Sequence, residues 1–195
     1  MEIDNIQHIL PFISPTSSDD FYFLQILKRK KENPEIGSNS IVIGNYYIKD
    51  QEHLLRVYED VKNIARATNS RVMIQLNKRS FETVAYKTLE NIASSMMNKD
   101  FTHMSNQYSR AVEQTNADKD KKWIIDIDVR DTNFVEEVTM FINQLEPIGL
   151  KELAFLESKS GWHIISKPFN MQKFSERYPN IDVQKNNPTN LFLVK

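Results

Sequence analysis

No cysteine occurs in the sequence, which excludes a disulfide framework, a cysteine-ligated zinc or iron–sulfur site and a thiol nucleophile, and accords with a reducing compartment. Glycine is scarce, at four residues, so the chain is neither collagenous nor a low-complexity linker. No apolar run reaches the roughly 18 residues of a membrane span, and Glu2 and Asp4 stand where a secretory leader carries basic residues. A cytoplasmic protein with no membrane partner is expected. An excess of one charge is also missing: 25 Lys and Arg meet 26 Asp and Glu, a formal net charge of −1, so bulk electrostatics will not coat duplex nucleic acid with this chain. What is present is 195 residues of which 40% are hydrophobic, enough for one globular domain or two small, closely packed halves.

Apolar spacing then divides the chain. Gln51 to Ala67 repeats Leu54, Leu55, Val57, Tyr58, Val61, Ile64 and Ala65 at helical intervals and predicts an amphipathic helix. Phe21 to Lys31 (FYFLQILKRKK) crowds apolar residues at its start and cations at its end, the pattern of a helix whose last turn favours positive charge, with Asn33, Pro34 and Gly37 to stop it. Ile41 to Ile48 is β-branched and aromatic and predicts a strand, with a bulge or close backbone contact at Gly44. Arg71 to Leu76 predicts another strand, and Ser80 is placed to cap a helix running from Phe81 to about Asn98. Lys78 and Arg79 precede that helix start and are candidates for an accessory phosphate contact. Asp100 to Asp120 is polar and weakly periodic, a connection or a loosely packed helix.

Beyond it run strand Trp123 to Val129, helix Thr132 to Leu145, strands Leu150 to Glu157 and Trp162 to Ser166, helix Met171 to Arg177, and extended segments at Ile181 to Val183 and Leu191 to Val194. This β-α-β-β-α-β order predicts an α+β fold. Residues 121–195 form a ferredoxin-like or RRM-like split βαβ palm, packed with an N-terminal α/β module over residues 1–120 as one compact unit.

Side chains alternate along WIIDIDV, so Trp123, Ile125, Ile127 and Val129 share one face while Asp126 and Asp128 share the other with Ile124. The two carboxylates stand roughly 7 Å apart at the backbone and can lean together over a divalent cation. Solvent-facing aspartates spaced this way are common, so the pair alone means little. ESKSGWHIIS (Glu157 to Ser166) places a tight turn before His163, which points away from the face of its neighbours Trp162 and Ile164. A lone strand histidine is more often structural, but here the turn concentrates hydroxyls, Gly161 and Lys159, a set suited to a phosphate. Asp182 lies between Ile181 and Val183 in a late extended segment. In split βαβ order the first strand is central, so Asp126, Asp128, His163 and Asp182 are expected on one sheet face. Hard oxygen donors of that kind suit Mg2+ or Mn2+ and two-metal phosphoryl transfer.

The ordered set Asp126-Ile127-Asp128, Ser160-Gly161-Trp162-His163 and Ile181-Asp182 resembles the three motifs of the archaeo-eukaryotic primase superfamily, the catalytic cores of primases, primase-polymerases and end-joining polymerases. The resemblance covers Trp123 to Val194. It implies that Asp126, Asp128 and Asp182 ligate the metals, that Ser160 and His163 contact nucleotide phosphates, and that nucleoside triphosphates and a nucleic-acid template are the partners. Lys159, Lys167 and Lys185 are added from their own positions as phosphate or template contacts. Many members carry a zinc module that this cysteine-free chain has no residues to build, and with no P-loop in the sequence a helicase or other replication partner is expected on a separate polypeptide. Two other readings stay open: a catalytically silent relative that binds nucleic acid or a replication partner, and a metal-dependent phosphodiesterase or nuclease, since the same carboxylates and histidine equally activate water.

Overall fold

The computed structural model describes residues 2–194. In chain order the elements are β1 (Glu2–Asp4), α1 (Ile6–Ile9), β2 (Asp20–Arg29), β3 (Ser40–Ile48), α2 (Gln51–Thr68), β4 (Arg71–Ile74), β5 (Arg79–Ser80), α3 (Phe81–Met97) and α4 (Gln107–Gln114). They continue with β6 (Trp123–Ile127), α5 (Thr132–Gln144), β7 (Glu152–Glu157), β8 (Trp162–Ser166), α6 (Met171–Arg177), β9 (Asp182–Gln184) and β10 (Thr189–Val194). Among the described residues six α-helices and two antiparallel sheets make this an α+β fold.

Short polar side chains cap the starts of α2, α3, α5 and α6. Asp50 accepts from the His53 amide, Ser80 from Thr83, Asp131 from Asn133 and Phe134, and Asn170 from Lys173, each satisfying amides that a helix leaves unpaired. Ser80 thus caps α3 as its sequence position predicts.

Phe21 to Lys31, expected to be helical, is instead strand as far as Arg29, the body of the long strand β2. The reason lies in what covers it. Tyr22, Leu24 and Ile26 join the core that contains α2, while Phe21 and Phe23 pack on the other side with Val84 of α3 and Ala111 and Val112 of α4. A central strand buried on both faces is a continuous apolar run, which periodicity alone does not separate from a buried helix. The bulge expected at Gly44 is present, since the β2–β3 register shifts where Ile26 faces Gly44 and Leu27 faces Val42. Within Asp100 to Asp120, α4 forms and packs on α3.

The first sheet runs β1-β10-β4-β2-β3, with β5 paired to β2, and the second runs β7-β8-β6-β9. The first half therefore builds a sheet of its own, and β10, the last strand of the chain, returns to it between β1 and β4. In the second sheet each helix links strands separated by one other: α5 joins β6 to β7 with β8 between, and α6 joins β8 to β9 with β6 between. Ile125, Ile127 and Ile164 pack under Val135, Val138, Ile142 and Phe174 of those helices. Ile124, Leu156 and Ile165, on the opposite face, join the buried cluster that also contains residues of α1, α2 and the first sheet.

Arg79 overturns the expected phosphate contact. Its guanidinium is fully buried and donates to the carbonyls of Val112 (2.7 Å) and Asn77 (2.6 Å) and to Asn186 Oδ1 (2.9 Å). It ties α4, the start of α3 and the segment before β10 together.

Candidate active site between the two sheets

Register decides which side chains meet. In the second sheet Asp126 pairs with His163 on one side and with Asp182 on the other, and His163 pairs with Leu156. Residues directly opposite in a ladder point to the same face, so these four form one row across the sheet. In the first sheet Gln25 faces Met73 and Leu27 faces Arg71, which places Leu27, Arg29, Arg71 and Met73 on one face. That face and the row across the second sheet enclose a cleft of about 760 Å³. Arg29, Lys31 and Arg71 line one wall, and Asp126, Asp128 and His163 the other.

His163 is buried and held at both ring nitrogens. Nδ1 lies 2.8 Å from Thr189 Oγ1 of β10, and Nε2 lies 3.3 Å from Asp126 Oδ1. An ionised carboxylate only accepts, so Nε2 carries the proton toward Asp126. The imidazole thereby links the two sheets and orients the half-buried Asp126. The hydrogen bond from His163 holds the Asp126 carboxyl below the usual carboxylate range, against the opposing effect of burial, and Arg29 and Arg71 across the cleft lower it further. The sign follows from linkage. A carboxyl depressed in the folded state adds stability that is complete above its unfolded value of about 3.9 and disappears as pH falls through the folded value. Urea unfolding measured from pH 6 to pH 2 is therefore expected to weaken below about pH 4, and less so in Asp126→Asn.

Asp128 lies just beyond β6, exposed, where its Oδ1 accepts from Ser160 Oγ at 2.6 Å. The β7–β8 turn that carries Ser160 closes through Ser158 N to Gly161 O and Gly161 N to Ser158 Oγ, both 3.0 Å. Arg130 donates to the Ser158 and Lys159 carbonyls and clamps the turn from outside. At Gly161 the turn abuts the end of β6 so closely that an added Cβ would stand 2.0 Å from the Ile127 oxygen and 2.7 Å from the Val129 nitrogen. Backbone against backbone cannot yield as a side-chain tip does. Gly161→Ala is expected to destabilise the protein by about 2 kcal/mol, as overpacking does, read as a lower urea midpoint.

The other expected site residues divide. Lys159 lines the cleft beside Ser160. Asp182 shares the row with Asp126 but is exposed, accepts from Gln184 at 2.8 Å, and lies outside the cleft lining. Lys167 follows β8 at the end away from the turn, and Lys185 rests its ammonium on the Trp123 ring, 4.9 Å from the centroid. Neither lines the cleft. Arg29, Arg71 and Thr189 are not legible as site residues in the sequence: Arg29 lies in the segment expected to be helical, Arg29 and Arg71 line the cleft only through tertiary packing, and Thr189 is brought to His163 by the return of β10.

Among the described residues no three His, Asp or Glu side chains gather closely enough to enclose a metal ion. The donor chemistry nonetheless fits Mg2+ or Mn2+. Mg2+ is commonly bound by one or two carboxylates, with water and substrate phosphates completing its shell, and Asp126 and Asp128 supply two carboxylates on the cleft wall. Comparison with known proteins adds no family: no family model, no curated protein and no solved structure matches the chain. No helix among the described residues is long and apolar enough to cross a membrane.

Proposed function

We propose that this chain is a nucleotidyltransferase of the primase-polymerase type, adding nucleotides to a strand on a nucleic-acid template. The observation that carries this reading is the opposition, across one cleft, of Asp126, Asp128 and His163 to Arg29, Lys31 and Arg71. A nucleoside triphosphate is a polyanion whose reacting phosphorus needs carboxylate-bound cations on one side and fixed positive charge on the other. The order β7-β8-β6-β9, with both helices packed on the far face, supports a split βαβ palm of the primase kind.

In this reading Arg29, Lys31, Arg71 and Lys159 neutralise the phosphates, while Ser160 and His163 hold the carboxylates in place until substrate enters. Asp126 and Asp128 would hold Mg2+ or Mn2+, which when bound supplies charge stabilisation at the attacking and leaving oxygens. The 3′-hydroxyl oxygen of the growing strand attacks the α-phosphorus and pyrophosphate departs. A separate helicase or replication protein is the partner this chemistry implies, and a cytoplasmic setting accords with the cysteine-free composition.

Incubation with a template, labelled nucleoside triphosphates and Mg2+ or Mn2+ tests the proposal, and a lengthened labelled strand is the expected product. Template binding with no incorporation would instead identify a silent nucleic-acid-binding module. Shortening of a labelled strand would identify a phosphodiesterase.

A further inference from the structure

One buried acid at the cleft has no part in this chemistry. Glu32, in the turn after β2, has a side chain only 9% exposed. Its Oε1 accepts from Arg71 Nη2 and from Lys159 Nζ, the latter at 3.2 Å. Arg71 comes from the first sheet and Lys159 from the β7–β8 turn of the second, 127 residues from Glu32, and both line the cleft. A single carboxylate oxygen therefore bridges the two walls.

The bridge is incomplete as a set of hydrogen bonds. Glu32 Oε2 and Arg71 Nε are both buried without a partner. Buried polar atoms are rarely left so, and one that is calls for an explanation such as an absent ligand. A phosphate provides what this carboxylate, as it is placed, does not: more charge and more acceptor oxygens, enough to take Arg71 at Nε as well as Nη2 while also meeting Lys159. Arg29 and Lys31 line the same wall, so the seat has positive charge to spare once the walls separate.

We infer that Glu32 is an internal occupant of a phosphate seat: its carboxylate holds Arg71 and Lys159 in the place of the terminal phosphate of a nucleoside triphosphate and yields them when that phosphate arrives. The empty cleft is strapped by Glu32, and the loaded cleft is strapped by its ligand. This rests on the nucleotide reading of the cleft and adds to it a built-in competitor that sets the affinity for polyphosphate. A competitor that occupies the seat most of the time lowers apparent affinity by the fraction of molecules left open.

Inorganic tripolyphosphate, titrated calorimetrically into the full chain with no template and no added metal, isolates this effect. Glu32→Gln keeps the shape and removes the charge, and it is expected to bind tripolyphosphate about tenfold more tightly than the parent. Arg71→Ala and Lys159→Ala are expected to bind more weakly, and in Glu32→Gln combined with Lys159→Ala the gain should shrink. The melting temperature of Glu32→Gln should rise more with tripolyphosphate than that of the parent, a readout that also serves if the variant is less stable when empty. Unchanged or weaker binding by Glu32→Gln, with a smaller thermal shift, would mean that Glu32 merely props Arg71 and overturns the inference. Tripolyphosphate has neither base nor sugar, which keeps the outcomes separate. Tighter binding in a protein that incorporates no nucleotide would sink the polymerase reading and retain the seat, whereas incorporation with a tripolyphosphate affinity indifferent to Glu32 would do the reverse.

Discussion

Asp126→Asn is expected to lower template-directed incorporation by at least about a hundredfold, the scale on which loss of one preorganised electrostatic group acts. The substitution is nearly isosteric, and Asp126 is half-buried between His163 and the open cleft, so the fold has no cavity or clash to absorb. What changes is charge. An amide oxygen is a much weaker partner than a carboxylate for a hard divalent cation, and the Nε2 proton of His163 loses its ionised acceptor. Steady-state incorporation at saturating nucleotide, measured beside the urea midpoint at pH 7, separates the two consequences: the rate should collapse while stability falls only by the contribution of one partly exposed hydrogen bond. An unchanged rate would remove Asp126 from the chemistry and with it the central support for the polymerase proposal.

The second large effect falls far from the reacting atoms. Arg79→Met is expected to cost about 3 kcal/mol or more of stability, because hydrogen bonds to a charged group are worth more than neutral ones and each buried acceptor left behind carries its own desolvation penalty. The guanidinium is fully buried, and burial pushes it down to about 10 against the opposing pull of Asp118. It is therefore still charged at neutral pH, and its acceptors are carbonyls of Val112 and Asn77 and the side chain of Asn186. For a chain of this size the melting temperature should fall by about 10 °C. Arg79→Lys should recover only part of the loss, since one ammonium cannot reach acceptors spread around a planar fork. Asn186 also donates to the Glu113 and Thr115 carbonyls and precedes Asn187 and Pro188, which line the cleft. Both variants should accordingly weaken nucleotide binding along with the fold. A melting temperature within about 2 °C of the parent would show that water replaces the guanidinium without penalty.

Reading the chain residue by residue reached whatever depends on near neighbours. The helix expected over Gln51 to Ala67 follows from apolar spacing, and the α3 start from Ser80, because capping and amphipathic periodicity operate within a few residues. The alternation in WIIDIDV likewise placed Asp126 opposite Ile125 and Ile127, and the register of β6 with β8 and β9 aligned it with His163 and Asp182. Assembly across the fold settled the remainder. Phe21 to Arg29 is strand because layers brought from elsewhere bury both faces of its apolar part, a circumstance that leaves no trace in local periodicity. Arg29, Arg71, Glu32 and Thr189 join the site because the tertiary fold sets Arg29 and Arg71 across a cleft from Asp126, brings Glu32 to Lys159, and returns β10 to the first sheet with Thr189 against His163. The contact of Glu32 with Lys159 joins segments 127 residues apart, a distance that only tertiary packing sets.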